Sequence, residues 1–377
     1  MSAIHVTKPR AGAVLMAAVL AAGCTGTGGS ATPAPTASQS AAASSAPASS
    51  AAASASASAS DGVQPLPTPE VTSLKFAISA TDANSYPIQL ALDAGLYKKY
   101  GLDVQGFYIE GTQPTTQALL SGQVDFATNS ASQTITSLTT SQPLVDVGIL
   151  TNKLPDYLYG GKDVTDASSL KGKRIAISQF GGQSHGEVVV SLKELGLTSD
   201  DVQIVQIGGQ SARIAALEAG SVGAAPAEAG LADKLTGEGF HVLVKLPEAK
   251  ALFAGSNIQI PRAFVEKNPN TTLAIVAAVL DAVQYGVNNP EQTAKYYAKF
   301  SQMSEADALK AWQSFLGTGI LQRDMRSTED AYVPVRDVLA NINPEVKDVD
   351  LTKAYDGSFL DKLEQMGYFK ELGVPNS

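Results

Sequence analysis

Residues 182–186 read Gly-Gln-Ser-His-Gly, a pattern that could make Ser184 a nucleophile. A serine between two glycines, after a predicted strand and before a predicted helix, is where an α/β-hydrolase places its reactive hydroxyl. Such an enzyme also needs an acid and a histidine base further along the chain, and the sequence offers only Asp233 and His241 for these roles. A secreted serine hydrolase that uses Ser184 is therefore the alternative of a different class, and we predict that the protein is not an enzyme.

Metal and cofactor chemistry has few candidate ligands in this chain. The 377 residues include three histidines and one cysteine, and these four residues are far apart in sequence. Zinc sites use several such side chains at short spacing. The sequence therefore predicts no metal site and no cofactor.

The remaining chemistry is noncovalent binding by polar side chains in four loops, at 80–85, 128–130, 179–185 and 226–229, each after a predicted strand. In open α/β sheets, ligands bind beyond the carboxyl ends of the strands. Two of the loops lead into helices, whose free N–H groups favour an anion or a carbonyl oxygen. The candidate contacts in these loops are Asp82, Asn84, Thr128, Asn129, Ser130, Gln179, Phe180, Ser184, His185 and Glu228.

Several candidates also have a purely structural interpretation. Ser130 and Ser184 suit helix caps, and Asp82 and Asn84 suit turns. Phe180 more often packs than stacks on a ligand. A structural role is also the first interpretation for the candidate His185 and for Arg213. His185, at a helix start, suits a hydrogen-bond filler, and Arg213 is predicted to lie on a solvated helix face.

The elements that position these loops contain an internal repeat, which we call the repeated corner (111–131 and 209–229). Gly111 aligns with Gly209 and Gly122 with Gly220 at one constant offset. Each copy predicts a short helix that ends at a glycine, then a buried strand and a polar turn. Two α/β units about a hundred residues apart indicate two lobes rather than one sheet.

The C-terminal part, from Pro261 onward, is predicted to be helical. Asn270 is expected to cap a buried helix, and Ser304 and Ser327 to begin two later helices. Trp312 lies at helical spacing with Phe315 and is predicted to pack in a core.

The N-terminal residues resemble an export signal. Lys8 and Arg10 precede an apolar run from 11 to 22, which is too short to cross a bilayer. Leu20-Ala21-Ala22-Gly23-Cys24 is similar to the bacterial lipoprotein cleavage box, so we predict a signal peptide at 1–23 and lipidation of Cys24. Residues 25–60 contain only small and polar types, which predicts a disordered tether over 24–72.

The formal net charge is −9, and no basic stretch interrupts the acidic body. This composition argues against a nucleic-acid partner. Residues 73–377 are numerous enough for two hydrophobic cores.

The stretches 87–104, 118–127, 170–177 with 181–185, and 215–225 resemble the substrate-binding lipoproteins of ABC importers in the sulfonate, nitrate and taurine group. The fold of that family is also similar to that of the fungal thiamine-pyrimidine synthases, whose cysteine-rich motif is absent here. One departure is Gly223, which stands where the family usually has an acidic residue.

The resemblance implies an α/β fold of two lobes, a type II-like periplasmic-binding-protein fold with mostly parallel sheets flanked by helices and a ligand cleft between the lobes. Lobe 1 is predicted over 73–168 plus 261–377, and lobe 2 over 169–260. It also implies a monomer on the extracytoplasmic face of a bacterial membrane, with an ABC permease as its partner.

The ligand predicted first is an organic solute with apolar area near Phe180 and a polar or anionic head at Ser130 and Ser184, such as an aliphatic sulfonate. The cleft loops contain no Lys or Arg and carry Asp82 and Glu228, which disfavours a bare inorganic anion. A thiamine-pyrimidine-type heterocycle, whose amino group either carboxylate could accept, is the second prediction.

Overall fold

The computed structural model describes residues 62–375. The predicted signal peptide, Cys24 and the tether up to residue 61 lie outside the described residues. Ten strands are present in this part of the chain: β1 (Ser73–Ile78), β2 (Asp103–Tyr108), β3 (Phe126–Ser130), β4 (Leu144–Ile149), β5 (Asp156–Gly160), β6 (Arg174–Ile177), β7 (Gln203–Gln206), β8 (Ala224–Glu228), β9 (His241–Lys245) and β10 (Ser256–Pro261).

The same residues form fifteen α-helices: α1 (Tyr86–Asp93), α2 (Leu96–Lys99), α3 (Thr112–Leu120), α4 (Ala131–Ser137), α5 (Ala167–Leu170), α6 (Gln183–Glu194), α7 (Gln210–Glu218), α8 (Ala232–Gly237), α9 (Arg262–Lys267), α10 (Pro269–Asn288), α11 (Pro290–Ser301), α12 (Glu305–Gly317), α13 (Glu329–Ala340), α14 (Ser358–Gln365) and α15 (Tyr368–Leu372).

The strands form two five-stranded sheets of the same plan. The first has the order β2-β1-β3-β10-β4 and the second the order β7-β6-β8-β5-β9. In each sheet one strand, β10 or β5, pairs antiparallel with both of its neighbours, and the other strands run in one direction. The sheets are therefore mixed, with four of five strands parallel to one another.

The repeated corner occupies equivalent places in the two sheets. Its helices are α3 and α7, and its strands, β3 and β8, lie at the centre of each sheet. After each helix a glycine takes a left-handed backbone conformation, with φ of 70° at Gly122 and 68° at Gly220. An L-residue with a side chain is disfavoured there, which explains the choice of glycine.

Strand pairing differs from the predicted lobe boundaries at two points. β5 pairs with β8 and β9, so 156–160 belongs to the second sheet, whereas β10 lies between β3 and β4 in the first. The predicted boundaries at 168 and 261 did not anticipate this exchange, because the sheet partners of β5 and β10 are distant along the chain. By sheet membership, the chain crosses between lobes at 150–155 and again at 246–255.

The core of the first lobe surrounds α10, the longest helix. Fifteen of its residues are buried, and Trp312 packs against it with its indole N–H donating to the Gly286 carbonyl at 2.9 Å. Among the described residues α10 alone is long and apolar enough to cross a membrane, but 83% of that window is buried inside the protein. It is therefore a core helix, and the prediction that Trp312 packs in a core is confirmed.

The caps of the later helices differ in part from the predictions. Ser304 caps α12 by accepting from the Asp307 N–H at 3.1 Å, as expected. α13 begins one residue later than Ser327 predicted, because the Ser327 hydroxyl donates instead to Asn152.

The first turn of α10 is capped by Glu70 rather than by Asn270. Asn270 lies inside the helix, and the Glu70 carboxylate accepts from the N–H groups of Asn270 at 3.0 Å and Thr271 at 2.7 Å. A carboxylate at this position also interacts favourably with the helix dipole. Residues 62–72, which the sequence assigned to the tether, therefore include a segment that is fixed on the first lobe.

Candidate ligand-binding cleft

A cavity of about 290 Å³ lies where the two lobes meet. The loop after β1 contributes one wall, and the start of β5 and the end of β8 contribute the second. The third wall comes from α11 and α12, through residues that include Tyr297, Met303, Lys310, Ala311 and Phe315. A larger depression of about 450 Å³ lies beside Lys173 and Gly223, at the start of the second sheet's parallel strands. Ligands of such sheets bind at the opposite end, so we assign the site to the interlobe cavity.

Asp82 and Asn84 reach the cavity from the loop after β1. One Asp82 oxygen accepts from the Ser85 N–H at 2.9 Å, which holds the carboxylate at the start of α1. Burial raises the pKa of Asp82 above its usual range. The Asn84 side chain is buried, and its Oδ1 has no hydrogen-bond partner among the described residues.

Asp156 and Glu228 reach the cavity from neighbouring strands and face each other in register, Asp156 on β5 opposite Glu228 on β8. Burial raises the pKa of Asp156 well above its usual range, and the nearby charges of Glu187, Glu228 and Asp82 raise it further. The pKa of Glu228 is raised by burial and then by Asp82. Glu228 keeps solvent-accessible surface at the end of β8, where it lines the cavity.

Behind these carboxylates lie Glu187 and Arg213, both buried. The Glu187 pKa is raised by burial, whereas a hydrogen bond from Gln183 and the charge of Arg213 oppose the shift. The Arg213 guanidinium donates to the carbonyl oxygen of Pro226 at 3.1 and 3.2 Å and to that of Gly208 at 3.1 Å. The prediction that Arg213 lies on a solvated face was wrong, because α7 turns this side chain toward the end of β8.

Residues 128–130 end β3 and are buried away from the cavity lining. The Asn129 amide donates to the Thr112 carbonyl, the Thr116 hydroxyl and the Gln259 side chain. Ser130 is the N-cap of α4 and accepts from the Ser132 N–H at 3.4 Å. The Oγ1 of Thr128 and the Oδ1 of Asn129 have no partner within residues 62–375.

The loop at 179–185 lies at the end of β6 and the start of α6. The Ser184 hydroxyl accepts from the Ser178 N–H at 2.8 Å, and His185 Nδ1 accepts from the Gly181 N–H at 3.1 Å. Burial lowers the His185 pKa, which keeps the imidazole neutral. Phe180 is 46% exposed, with its ring edge-to-face on His185 at 5.3 Å between centroids.

Gln179 connects the two lobes directly. Its Nε2 donates to the Thr112 hydroxyl at 2.8 Å, which joins the end of β6 in the second sheet to the start of α3 beside the first. This contact brings the loop at 179–185 close to the loop at 128–130, because the Asn129 amide donates to the carbonyl oxygen of the same Thr112. These seven predicted contacts therefore lie beside the interlobe seam but outside the lining of the 290 Å³ cavity.

The cavity thus brings together Asp82, Asn84 and Glu228 of the ten predicted contacts. The sequence analysis missed Asp156, Glu187 and the wall from α11 and α12. A usable signal existed for Glu187, a carboxylate that directly precedes three valines in a helix. Asp156 gave no such signal because it begins its strand, whereas the predicted contacts follow strands.

The arrangement around Ser184 is not that of a hydrolase. The partners of its hydroxyl are the N–H and Oγ of Ser178, and neither is a base. His241 is on β9, the edge strand three positions from β6, which corresponds to about 14 Å at normal strand spacing. A serine and its base must be within hydrogen-bonding reach, so this geometry argues against nucleophilic catalysis. Gly223 precedes β8 at the end opposite Glu228, away from the cavity lining.

Comparison with known proteins shows that the chain belongs to the NMT1/THI5-like family. The family model described as NMT1/THI5 like matches residues 82–293. A candidate binding protein of Brucella abortus (strain 2308) is 25% identical over 228 residues, which cover 58% of this chain and 68% of that protein.

Solved structures share the architecture at lower sequence identity. The periplasmic aliphatic sulphonate binding protein of Escherichia coli has a TM-score of 0.62 and 21% identity, and the match covers 77% of this chain and 99% of that one. The periplasmic nitrate-binding protein of Synechocystis PCC 6803 has a TM-score of 0.62 and 17% identity, covering 82% and 93%. The predicted periplasmic-binding-protein fold of two lobes is confirmed.

Proposed function

Because the chain belongs to the NMT1/THI5-like family, we propose that it is the extracytoplasmic solute receptor of an ABC importer, which captures a small organic solute and delivers it to a permease. The observation that carries this proposal is the interlobe cavity, whose walls come from both sheets and from α11 and α12. A site shared between lobes couples binding to their relative position. The closed form then presents the permease with a surface that the open form lacks.

The function requires binding without turnover. The structural relatives named above bind an aliphatic sulphonate and nitrate, and their likeness to this chain is one of fold. The side chains that line the cavity here contribute hydrogen-bond acceptors, hydroxyls and apolar surface, and Ser184 is outside it. A sulfonate and a thiamine-pyrimidine-type heterocycle remain the two ligand classes that the sequence predicts.

A thermal-shift screen of the full chain in detergent against sulfonates, nitrate, aminopyrimidines and other small solutes tests the receptor role. A ligand at a hundred times its dissociation constant adds about 2.7 kcal/mol to the free energy of unfolding. Ala311 lines the cavity on α12, so Ala311→Trp should fill the site and remove the stabilisation. The matched control is Ala306→Trp, an exposed residue of the same helix outside the cavity lining, which should keep it.

The hydrolase alternative is tested by a serine-reactive fluorophosphonate. The receptor proposal predicts no labelling that depends on Ser184, because within residues 62–375 its hydroxyl is hydrogen-bonded to Ser178 and not to a base. Ester turnover that Ser184→Ala abolishes would contradict the proposal.

We extend the proposal to the membrane through Cys24. Acyl chains on this cysteine would anchor the protein on the extracytoplasmic face, since two or more chains give stable attachment. Cys24→Ser should move the protein from the membrane fraction to the soluble or unprocessed fraction. Unchanged membrane fractionation would count against lipidation.

A further inference from the structure

The charges around the interlobe cavity indicate which class of solute it takes. We propose that the ligand is a small organic cation whose N–H groups bind the carboxylates of Asp82, Asp156 and Glu228. This inference rests on the proposed function, because it takes the cavity as the solute site.

The three carboxylates reach the cavity from three separate segments and from both lobes. Glu187 lies behind them. The charge of Arg213 acts on Asp156, Glu187 and Glu228, and three of its N–H groups donate to backbone carbonyls. Lys310 and Asp307 also line the cavity, and both are exposed; their charges are opposite and add no net charge to this wall. A cleft with such an excess of carboxylates concentrates negative potential and attracts cations.

Asn84 lies beside the carboxylates at the cavity and is 9% exposed. Its Oδ1 is buried and has no donor within the described residues. A buried acceptor without a donor is unfavourable, but this oxygen is shielded from the cavity, so a ligand N–H reaches it only if the amide turns.

The cation should be organic rather than a metal ion. Within residues 62–375, no group of three or more His, Cys, Asp or Glu side chains is arranged to hold a metal. The cavity lining also includes the apolar residues Leu231, Met303 and Phe315, and Met303 is 42% exposed although it is large and apolar. Tyr297, which is otherwise packed in the core, also lines the cavity.

The raised pKa values of Asp82, Asp156 and Glu228 agree with this assignment. Burial raises the pKa of each carboxyl, although Glu228 keeps solvent-accessible surface, and nearby like charges raise the pKa values of Asp156 and Glu228 further. A bound cation would relieve both effects, whereas a sulfonate would add a further negative charge. Of the two ligand classes predicted from sequence, the cavity therefore favours the one that carries an amino group.

The test uses matched pairs of probes that differ in the sign of their charge: benzylammonium against phenylmethanesulfonate, butylammonium against butanesulfonate, and benzamidinium against benzenesulfonate. Thermal stabilisation and calorimetric affinity are measured on the full chain in detergent at neutral pH. We expect at least one cation to stabilise the protein, with no stabilisation by its sulfonate partner. Glu228→Gln and Asp156→Asn should weaken that affinity about tenfold or more, since each removes one charge at constant shape.

Two controls show whether a weaker affinity comes from the lost charge in the cavity, from a lost charge elsewhere or from unfolding. Glu266→Gln removes an exposed carboxylate on α9 outside the cavity lining and should leave the affinity unchanged. Asp156→Asn should also raise the melting temperature of the unliganded protein, so a weaker affinity would not reflect unfolding.

Three results would overturn the inference. If a sulfonate stabilises the protein and Ala311→Trp removes this effect, the ligand is an anion and the receptor role stands. If no cation stabilises the protein, the cationic class is rejected. Cation stabilisation that survives Ala311→Trp would place binding outside the cavity and would contradict the proposed function as well.

Discussion

Glu70 illustrates a single residue whose role depends on a contact 200 positions away. Its carboxylate accepts the N–H groups of Asn270 and Thr271 and the Thr271 hydroxyl at the start of α10. Partial burial opposes ionisation, but these hydrogen bonds lower the Glu70 pKa overall. The sequence indicated a cap near residue 270 but could not identify the capping side chain, because the donors and the acceptor are distant in the chain.

Replacement of this cap gives a prediction for stability. Glu70→Gln keeps the shape but removes the charge that interacts with the first turn of α10, so we expect a loss of about 1 kcal/mol in the free energy of unfolding. Urea denaturation at neutral pH measures it. Glu266→Gln is the control, and an equal effect in both variants would mean that Glu70 does not cap the helix.

At the same scale, the cavity shows why only part of the site was predictable. Asp82, Asn84 and Glu228 follow strands directly, and the rule that ligands lie beyond strand ends identified them. Asp156 was not predicted because β5 runs antiparallel to its neighbours, so the first residue of β5, and not the last, lies at the cleft. The contribution of α12 was not predicted because the sequence assigned this helix, which contains Trp312, to a core.

At the scale of elements, the repeated corner was predictable because its glycines are local requirements of the backbone. Gly122→Ala and Gly220→Ala should each cost about 1 kcal/mol, since an added Cβ meets no atom within 4 Å but the left-handed backbone disfavours it. Chemical denaturation of the two variants should give similar losses. Gly237→Ala, in α8 with an ordinary backbone and open space, should be neutral or stabilising, and an equal loss there would contradict the explanation.

A second element-scale feature is the buried carboxyl of Asp146 on β4. It accepts from Thr134 on α4 at 2.6 Å and from Tyr332 on α13 at 2.8 Å, which ties the sheet to two helices. Burial raises the pKa of Asp146 to about 7, and the hydrogen bonds from Thr134, Tyr332, Asn257 and Gln259 only partly offset it. The folded state therefore favours the protonated acid.

This shift predicts a pH dependence of stability. The folded-state pKa is above the unfolded value of about 3.9, so the contribution is fully present below about pH 4 and is lost as pH rises to about 7. Asp146→Asn should remove this part of the slope in urea denaturation across that range. Asp348→Asn, at an exposed position, should retain it. A slope unchanged by Asp146→Asn would contradict the assignment.

For the whole molecule, the two-lobed plan followed from the duplication of one α/β unit, and the structure has two sheets of identical order. The crossover points did not follow, because the strands that link the lobes are the two that run against their sheets, and their partners are distant in sequence. The third wall of the cavity, from α11 and α12, depends on how the C-terminal helices pack beside the loop after β1.

The central claim is that one solute contacts both lobes in the interlobe cavity. Hydrogen–deuterium exchange of the full chain, with and without the solute that stabilises it most in the thermal-shift screen, tests this most directly. We predict that the solute slows exchange together in the loop at 82–84 and in 228–231, and that Ala311→Trp abolishes both effects. Protection confined to one lobe, or protection that persists in Ala311→Trp, would contradict the claim.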